Sequence, residues 1–277
     1  MPVFPVDTLD DPRIVHYRGL KDRDLARRGD LFIAEGDYVV RRLLASDFPT
    51  ISVLLSRRRV EHILPLVPAE VPVYVGEDAL IKQVLGFQFH TGVIAVGRRV
   101  PSPSLAQVFE RREGPMTVVV CPEIANSDNM GSIIRISAAF GADAMVLGER
   151  CHDPFWRQSV RVSMGAVFTL PLVRSENLLE DLRAMRERWG VELVATVVGE
   201  DAEPLASARR PGRLGLLFGN EAQGLSPEHV SACQRRVTIP MKLGTDSLNV
   251  AVSAAVFLYH FTRETSRPGA DQPVTSM

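Results

Sequence analysis

Apolar residues in the first part of the chain fall into short blocks whose spacing alternates between strand-like and helix-like periods. Blocks at 31–34, 51–55, 71–75 and 91–96 read as strands. Stretches at 22–28 (polar), 38–44, 60–66 and 79–85 read as helices. This alternation predicts an α/β domain on a largely parallel sheet. The segment Arg98-Arg-Val-Pro-Ser-Pro-Ser104 is almost free of apolar residues and reads as a linker, with a short helix over 105–112 after it. The rhythm then resumes. Strands are predicted at 116–121, 144–147, 191–197, 214–218 and 236–239, and helices at 131–140, 178–189, 227–232 and 248–261. Val118-Val-Val120 and Leu214-Gly-Leu-Leu-Phe218 are apolar without interruption, as strands covered on both faces are. Beyond Arg263 the chain turns polar with two prolines and reads as a frayed tail. The pattern thus divides into an α/β domain at 1–97, a linker at 98–113, a second α/β domain at 114–265 and a tail at 266–277.

Composition narrows the class without naming a function. The 277 residues are 45% hydrophobic and 23% charged, with 32 basic and 33 acidic groups and a net charge of −1. This excludes a disordered chain, a fibre and a small disulfide scaffold, and leaves nucleic-acid binding to a local basic patch. Of the 32 basic residues 29 are Arg. Their planar forks suit phosphate, although an Arg-favouring codon usage gives the same bias. Cys121, Cys151 and Cys233 are spaced too widely for a zinc pair or a disulfide framework. A reducing cytoplasm and no metal are therefore expected. The first residues lack the basic start and apolar core of a signal peptide, and no apolar run reaches the ~18–20 residues of a membrane span. No membrane partner is expected. The dinucleotide fingerprint, the P-loop, the G-x-S-x-G elbow and the H-E-x-x-H zinc motif are all missing.

Three polar loops follow predicted strands. In the first, 122–135, Asn126, Ser127, Asp128 and Asn129 are all good helix caps, and Gly131 allows a close turn. The loop is either a plain helix start or a site carrying Arg135 at the carboxyl edge of the sheet, where α/β proteins bind ligands. In the second, 216–226, Gly219 and Gly224 permit close backbone approach and Glu221 disfavours a phosphate-bearing ligand. It is either an ordinary turn or a binding loop for a cationic or hydroxyl-bearing ligand. In the third, 237–251, Asp246 or Ser247 is expected to cap a helix with Asn249 in its first turn. Small residues follow at Ala251, Ser253, Ala254 and Ala255 and allow close helix packing.

Together, in this order, the three loops resemble the SpoU-type (TrmH-like) RNA ribose 2′-O-methyltransferases of the SPOUT superfamily. The first matches N-x-G-x-x-x-R through Asn129, Gly131 and Arg135. The second matches G-N-E-G-x-G-L through Gly219, Asn220, Glu221, Gly224 and Leu225, with Ala222 where the motif usually has glycine. The third matches I-P-M-x-G-x-x-x-S-L-N-V-x-x-A from Ile239 through Val250. Ser163-Met-Gly-Ala166 is similar to the family's spacer, and Gly29 to Gly36 is more weakly similar to its N-terminal RNA-binding domain. The resemblance covers roughly 114–262.

The resemblance implies a parallel-sheet catalytic domain with a trefoil knot, S-adenosylmethionine as cofactor, RNA as partner and a homodimer. It implies catalytic roles for Arg135, Asn129, Ser247 and Asn249. It also implies cofactor contacts at Phe218, Gly219, Asn220, Glu221, Gly224, Ile239, Met241, Leu248 and Asn249. A guanidinium in a protein stays charged, so Arg135 is better suited to bind phosphate and stabilise a developing alkoxide than to act as a base. The smaller N-terminal α/β domain would bind RNA through Arg18, Lys21, Arg23, Arg27 and Arg28, with Arg41-Arg42 and Arg57-Arg-Arg59 beyond. Interspersed Asp22, Asp24 and Asp30 also fit a merely solvated helix face. The competing classes are a catalytically silent RNA-binding protein on the same fold and an enzyme that methylates a base. The motifs leave tRNA and ribosomal RNA equally open as substrate.

Overall fold

The computed structural model describes residues 2–18, 30–85, 91–199, 201–242 and 246–263. The first part of the chain forms β1 (Val3–Pro5), β2 (Leu31–Glu35), α1 (Asp37–Leu44), β3 (Thr50–Ser56), α2 (Val60–Ile63), β4 (Val73–Gly76), α3 (Asp78–Leu85) and β5 (Val93–Arg98). It continues through α4 (Leu105–Phe109), β6 (Met116–Cys121), α5 (Ser127–Ala139), β7 (Ala144–Leu147), α6 (Arg157–Val162), β8 (Leu172–Arg174), α7 (Leu178–Trp189) and β9 (Glu192–Thr196). The last elements are β10 (Glu203–Pro204), β11 (Arg213–Leu217), α8 (Pro227–Ala232), β12 (Arg235–Thr238) and α9 (Val250–Arg263). Among the described residues no helix is long and apolar enough to cross a membrane.

Two compact units result. The first takes in Met1–Pro103, Ala125–Arg135 and His152–Leu172; the second takes in Ser104–Ile124, Ile136–Cys151 and Val173–Met277. The first unit is built on a sheet of order β1-β4-β3-β5-β2. Its parallel character holds only for β1, β4 and β3; β5 runs antiparallel to both β3 and β2. The expected largely parallel sheet is therefore mixed, because a strand–helix rhythm does not record strand direction. Strand β2 alternates its side chains between two clusters, as a pleated strand must. Leu31 and Ile33 join Tyr17, Leu54, Ile94 and Val96 on one side. Phe32 meets Phe48, Phe155 and Phe168 at ring-centroid distances of 6.0, 5.3 and 5.4 Å. This second cluster and α6 cover a strand that would otherwise be an open edge.

The second unit holds a seven-stranded sheet of order β10-β12-β9-β11-β6-β7-β8. Its recorded pairings, from β10·β12 through β6·β7, are all parallel. Met116, Val118 and Val120 of β6 pack with Leu178, Leu182 and Met185 of α7, and Phe109 stacks on Trp189 at 4.8 Å. Helix α7 has the bounds its sequence predicts. Asn177 caps its start by accepting from Glu180 N, and Gly190 closes it in the left-handed conformation.

Two helices start elsewhere than expected. Helix α5 begins at Ser127, one turn before 131, because Asn126 Oδ1 accepts from the backbone N–H groups of Asp128 and Asn129. Gly131 therefore lies inside the helix and not in a turn. Helix α9 begins at Val250, because its cap is Asn249 and not Asp246 or Ser247. Asn249 Oδ1 accepts from Ala251 N at 2.9 Å and from Val252 N at 3.3 Å. Helix α6 and the short strands β1, β8 and β10 have no counterpart in the sequence pattern. The predicted polar helix at 22–28 and the tail at 266–277 lie outside the described residues.

Candidate active site

In a parallel sheet every strand ends at the same edge, and that edge is where α/β proteins bind ligands. Strands β12 and β11 flank β9. The loops that follow them, 218–226 and 239–249, therefore leave from one edge of the second unit. These loops carry every cofactor contact that the resemblance implies.

The loop after β11 closes on itself. Asn220 N donates to Gly224 O and Gly224 N donates back to Asn220 O, each at 2.9 Å. Inside this clasp Asn220 Oδ1 accepts from Ala222 N at 2.9 Å and from Gln223 N at 3.2 Å. A Cβ on Gly219 would lie 2.2 Å from the Gly224 carbonyl carbon and 2.3 Å from Leu225 N, so no side chain fits there. Gly224 takes the left-handed φ of +68° that the return of the chain requires. Ala222 is absent from the residues of positive φ, so alanine replaces the motif's usual glycine without backbone strain. Asn220 thus shapes the loop, and Glu221 stands exposed at its tip. Phe218 is fully buried, edge-on to Phe257 at 5.9 Å; its side chain belongs to the core.

The loop after β12 has a different character. Among the described residues the backbone of 239–242 enters no backbone hydrogen bond. Ile239 and Met241 are half-buried, and Ser247, Leu248 and Asn249 are exposed just before α9.

Asn129 and Arg135 lie on α5, within the segment Ala125–Arg135 of the first unit. Arg135 is exposed and has no ion pair among the described residues. The helix beneath it is held closely. A Cβ on Gly131 would stand 2.6 Å from the Ser159 carbonyl oxygen and 2.8 Å from Val162 Cβ. Ser159 Oγ donates to the Ser127 carbonyl at 3.2 Å, and Gln158 Nε2 donates to Asp128 Oδ1 at 2.6 Å. Sequence reasoning missed Gln158 and Ser159. The only signal near them was the family-like spacer 163–166.

Burial sets the acidities around the strand ends. It pushes the Cys151 thiol up to about 11 and the Cys233 thiol up to about 12. Burial also raises Cys121, with the negative charges of Cys151 and Glu221 adding to it. None of the three is an activated nucleophile. Ser226 Oγ lies 2.7 Å from His229 Nδ1, and burial, followed by the Arg150 charge, holds that imidazole below its ordinary value. Among the described residues no group of three or more His, Cys, Asp or Glu is arranged to hold a metal ion.

The expected RNA-binding cluster is largely beyond description, since Lys21, Arg23, Arg27 and Arg28 lie outside the described residues. Arg18 folds back, donating to the Asp11 carbonyl at 3.0 Å and lying 3.7 Å from Asp10. Farther on, Arg41 and Arg59 pair with Asp37, Arg57 with Glu77 and Arg58 with Asp78. Much of that positive charge is balanced within the unit.

Comparison with known proteins agrees with these loops. The model of the SpoU rRNA methylase family matches residues 116–259. An uncharacterised tRNA/rRNA methyltransferase of Mycobacterium bovis is 38% identical over 265 residues, covering 92% of this chain and 90% of the relative. A 23S rRNA (guanosine-2′-O-)-methyltransferase of Acinetobacter baylyi is 26% identical over 211 residues, covering 75% of this chain and 85% of the relative. The SpoU methyltransferase AviRb of Streptomyces viridochromogenes, solved in complex with its cofactor AdoMet, superimposes with a TM-score of 0.76 at 25% identity. That match spans 92% of this chain and 99% of AviRb. With three motif loops in family order and a family match across most of the parallel sheet, the chain belongs to the SpoU rRNA methylase family of S-adenosylmethionine-dependent RNA methyltransferases, within the SPOUT superfamily.

Proposed function

We propose that this chain transfers a methyl group from S-adenosylmethionine to a ribose 2′-hydroxyl of tRNA or ribosomal RNA. The observation that carries the reading is Arg135: an exposed cation without an ion pair among the described residues, on a helix fixed by close packing at Gly131. The 2′-O chemistry named for the Acinetobacter baylyi relative supports the same assignment.

The residues present fit the cofactor. Among the described residues the backbone groups of 239–242 make no backbone hydrogen bond and, apart from the Ile239 carbonyl that accepts from Thr238 Oγ1 at 3.5 Å, offer neutral donors and acceptors to an adenine and ribose. Gly219, Asn220 and Gly224 shape the neighbouring loop, and the exposed Glu221 suits a cationic ligand. Ile239, Met241 and Leu248 supply apolar contact, and Phe218 contributes through its backbone. When bound, S-adenosylmethionine supplies a methyl carbon on a cationic sulfur, which keeps the electron pair of the broken C–S bond. The chain's own groups prepare the nucleophile. Arg135 stabilises the negative charge that grows on the 2′-oxygen, together with the neighbouring phosphate. Asn129, Ser247 and Asn249 orient the ribose by hydrogen bonding, and the 2′-proton leaves to solvent.

In this reading residues 1–97 bind RNA, 98–113 link and 114–265 catalyse; the expected tail at 266–277 lies outside the described residues. A trefoil knot at the end of the catalytic part is in keeping with the insertion of β11 between β9 and β6. The second copy of a homodimer would cover the exposed stripe Val252, Val256 and Tyr259 on α9, which repeats at helical spacing. The same reading puts the reaction in the cytoplasm, a reducing compartment that suits the three free cysteines.

The test is methyl transfer from labelled S-adenosylmethionine to total tRNA and, separately, to deproteinised ribosomal RNA, followed by nucleoside mass analysis. A 2′-O-methyl nucleoside in either pool is the expected product. A base-methylated nucleoside would replace the reading with a base-directed enzyme. Neither transfer nor cofactor binding by calorimetry would leave a silent RNA-binding protein.

A further inference from the structure

Helix α6 stands between β2 and the start of α5, and all three lie within the first unit. On one side Arg157 Nη1 donates to Glu35 Oε2 at 3.4 Å, and the Glu35 carboxylate is nearly buried, with 9% of its side chain exposed. Two further contacts hold the same segment. Arg99 Nη1 donates to Asp153 Oδ2 at 2.8 Å with its guanidinium 5.2 Å over the Phe155 ring, and Arg42 Nη1 donates to the Met164 carbonyl at 2.8 Å. On its other side α6 meets Ser127, Asp128 and Gly131 through Ser159 and Gln158. An unbroken series of contacts thus runs from a buried carboxylate on β2 to the first turns of α5.

We propose that Glu35 and Arg157 are positioning residues for methyl transfer: their ion pair fixes α6, and α6 fixes the register of the helix that carries Asn129 and Arg135. The proposal rests on the reading of Arg135 given above. A buried carboxylate that loses its partner must hydrate or move, and the helix it anchors moves with it. A misplacement of about 1 Å at a reacting group can cost a hundredfold in rate. The cofactor loops belong to the second unit, and the one at 219–224 is closed by its own backbone, so cofactor affinity is not expected to follow.

The experiment compares Glu35→Gln, Arg157→Met, the double variant and Gln158→Leu with wild type, using whichever RNA pool accepts methyl. Arg135→Ala is the control. Each of the first two variants is expected to lower kcat about tenfold, with KM for RNA and cofactor Kd within about twofold. The double variant is expected to be no worse than the poorer single one, since both remove one interaction. Gln158→Leu breaks the contact with Asp128 without touching Glu35, and should lower kcat about threefold in a fully folded protein. It keeps the test open should the Glu35 variants fail to fold. An inactive Arg135→Ala beside wild-type kcat in folded Glu35, Arg157 or Gln158 variants overturns the positioning role. Loss of cofactor affinity in step with kcat also overturns it, because a merely structural defect acts that way. A fully active Arg135→Ala instead brings down the underlying reading.

Discussion

The loop at 219–224 and the start of α5 both present motif residues after a parallel strand, yet they are held in opposite ways. The loop is fastened within Asn220–Gly224, through reciprocal backbone bonds and the Asn220 side chain. The start of α5 has a local cap, but its register is set by a helix about thirty residues farther along the chain. A self-closed loop keeps its shape wherever its strand ends. A braced helix keeps its position only while the brace is in place. The first suits a ligand gripped by backbone; the second suits a side chain whose location decides a rate.

Three substitutions separate the two regions and a fourth tests the cap of α9; the largest effect is expected on the braced side. Arg135→Ala removes the cation and leaves the clasp intact, so kcat should fall by about 10²–10³ while calorimetry finds unchanged cofactor affinity. Gly219→Ala does the converse. Its methyl group would run into the Gly224 and Leu225 backbone, and the loop must open to admit it. An overpacking cost of about 1–3 kcal/mol corresponds to a roughly five- to 150-fold loss of cofactor affinity. A Gly219→Ala enzyme with wild-type affinity and a reduced kcat would reverse the assignment. Gly131→Ala pushes α5 away from Ser159 and Val162. Thermal unfolding should show a loss of about 1–3 kcal/mol, and kcat should fall with cofactor affinity retained. Asn249→Ala removes the cap of α9 and is expected to cost about 1 kcal/mol in the same measurement. Should Asn249→Ser keep the stability but lose activity, the asparagine serves the substrate as well as the helix.

The contrast also explains what could be read from sequence. Strand β6 and helices α7 and α8 have the bounds their patterns predict, because an unbroken apolar run, Asn177, Gly190 and Ser226-Pro227 are local signals. The glycines of the clasp were legible for the same reason. The start of α5 was not, since four consecutive residues were eligible caps and only the fold selects Asn126. Helix α6 left no trace. Its sequence Arg157-Gln-Ser-Val-Arg-Val162 has only two apolar residues, and it exists by packing on β2. The direction of β5 was likewise hidden, because antiparallel pairing with β2 and β3 is decided far along the chain.

The order of strands in the second sheet has a consequence for how the molecule is made. Strand β6 pairs with β7, which follows it closely, and with β11, which emerges roughly ninety residues later. At a synthesis rate of about 5–20 residues per second, one edge of β6 waits several seconds for that partner. The waiting edge is Met116-Thr-Val-Val-Val-Cys121, apolar and rich in β-branched residues. During that interval the nascent chain carries an open hydrophobic strand of the kind that chaperones bind and neighbouring chains can pair with. A strand paired on both sides in the finished sheet is therefore an open edge in the unfinished one.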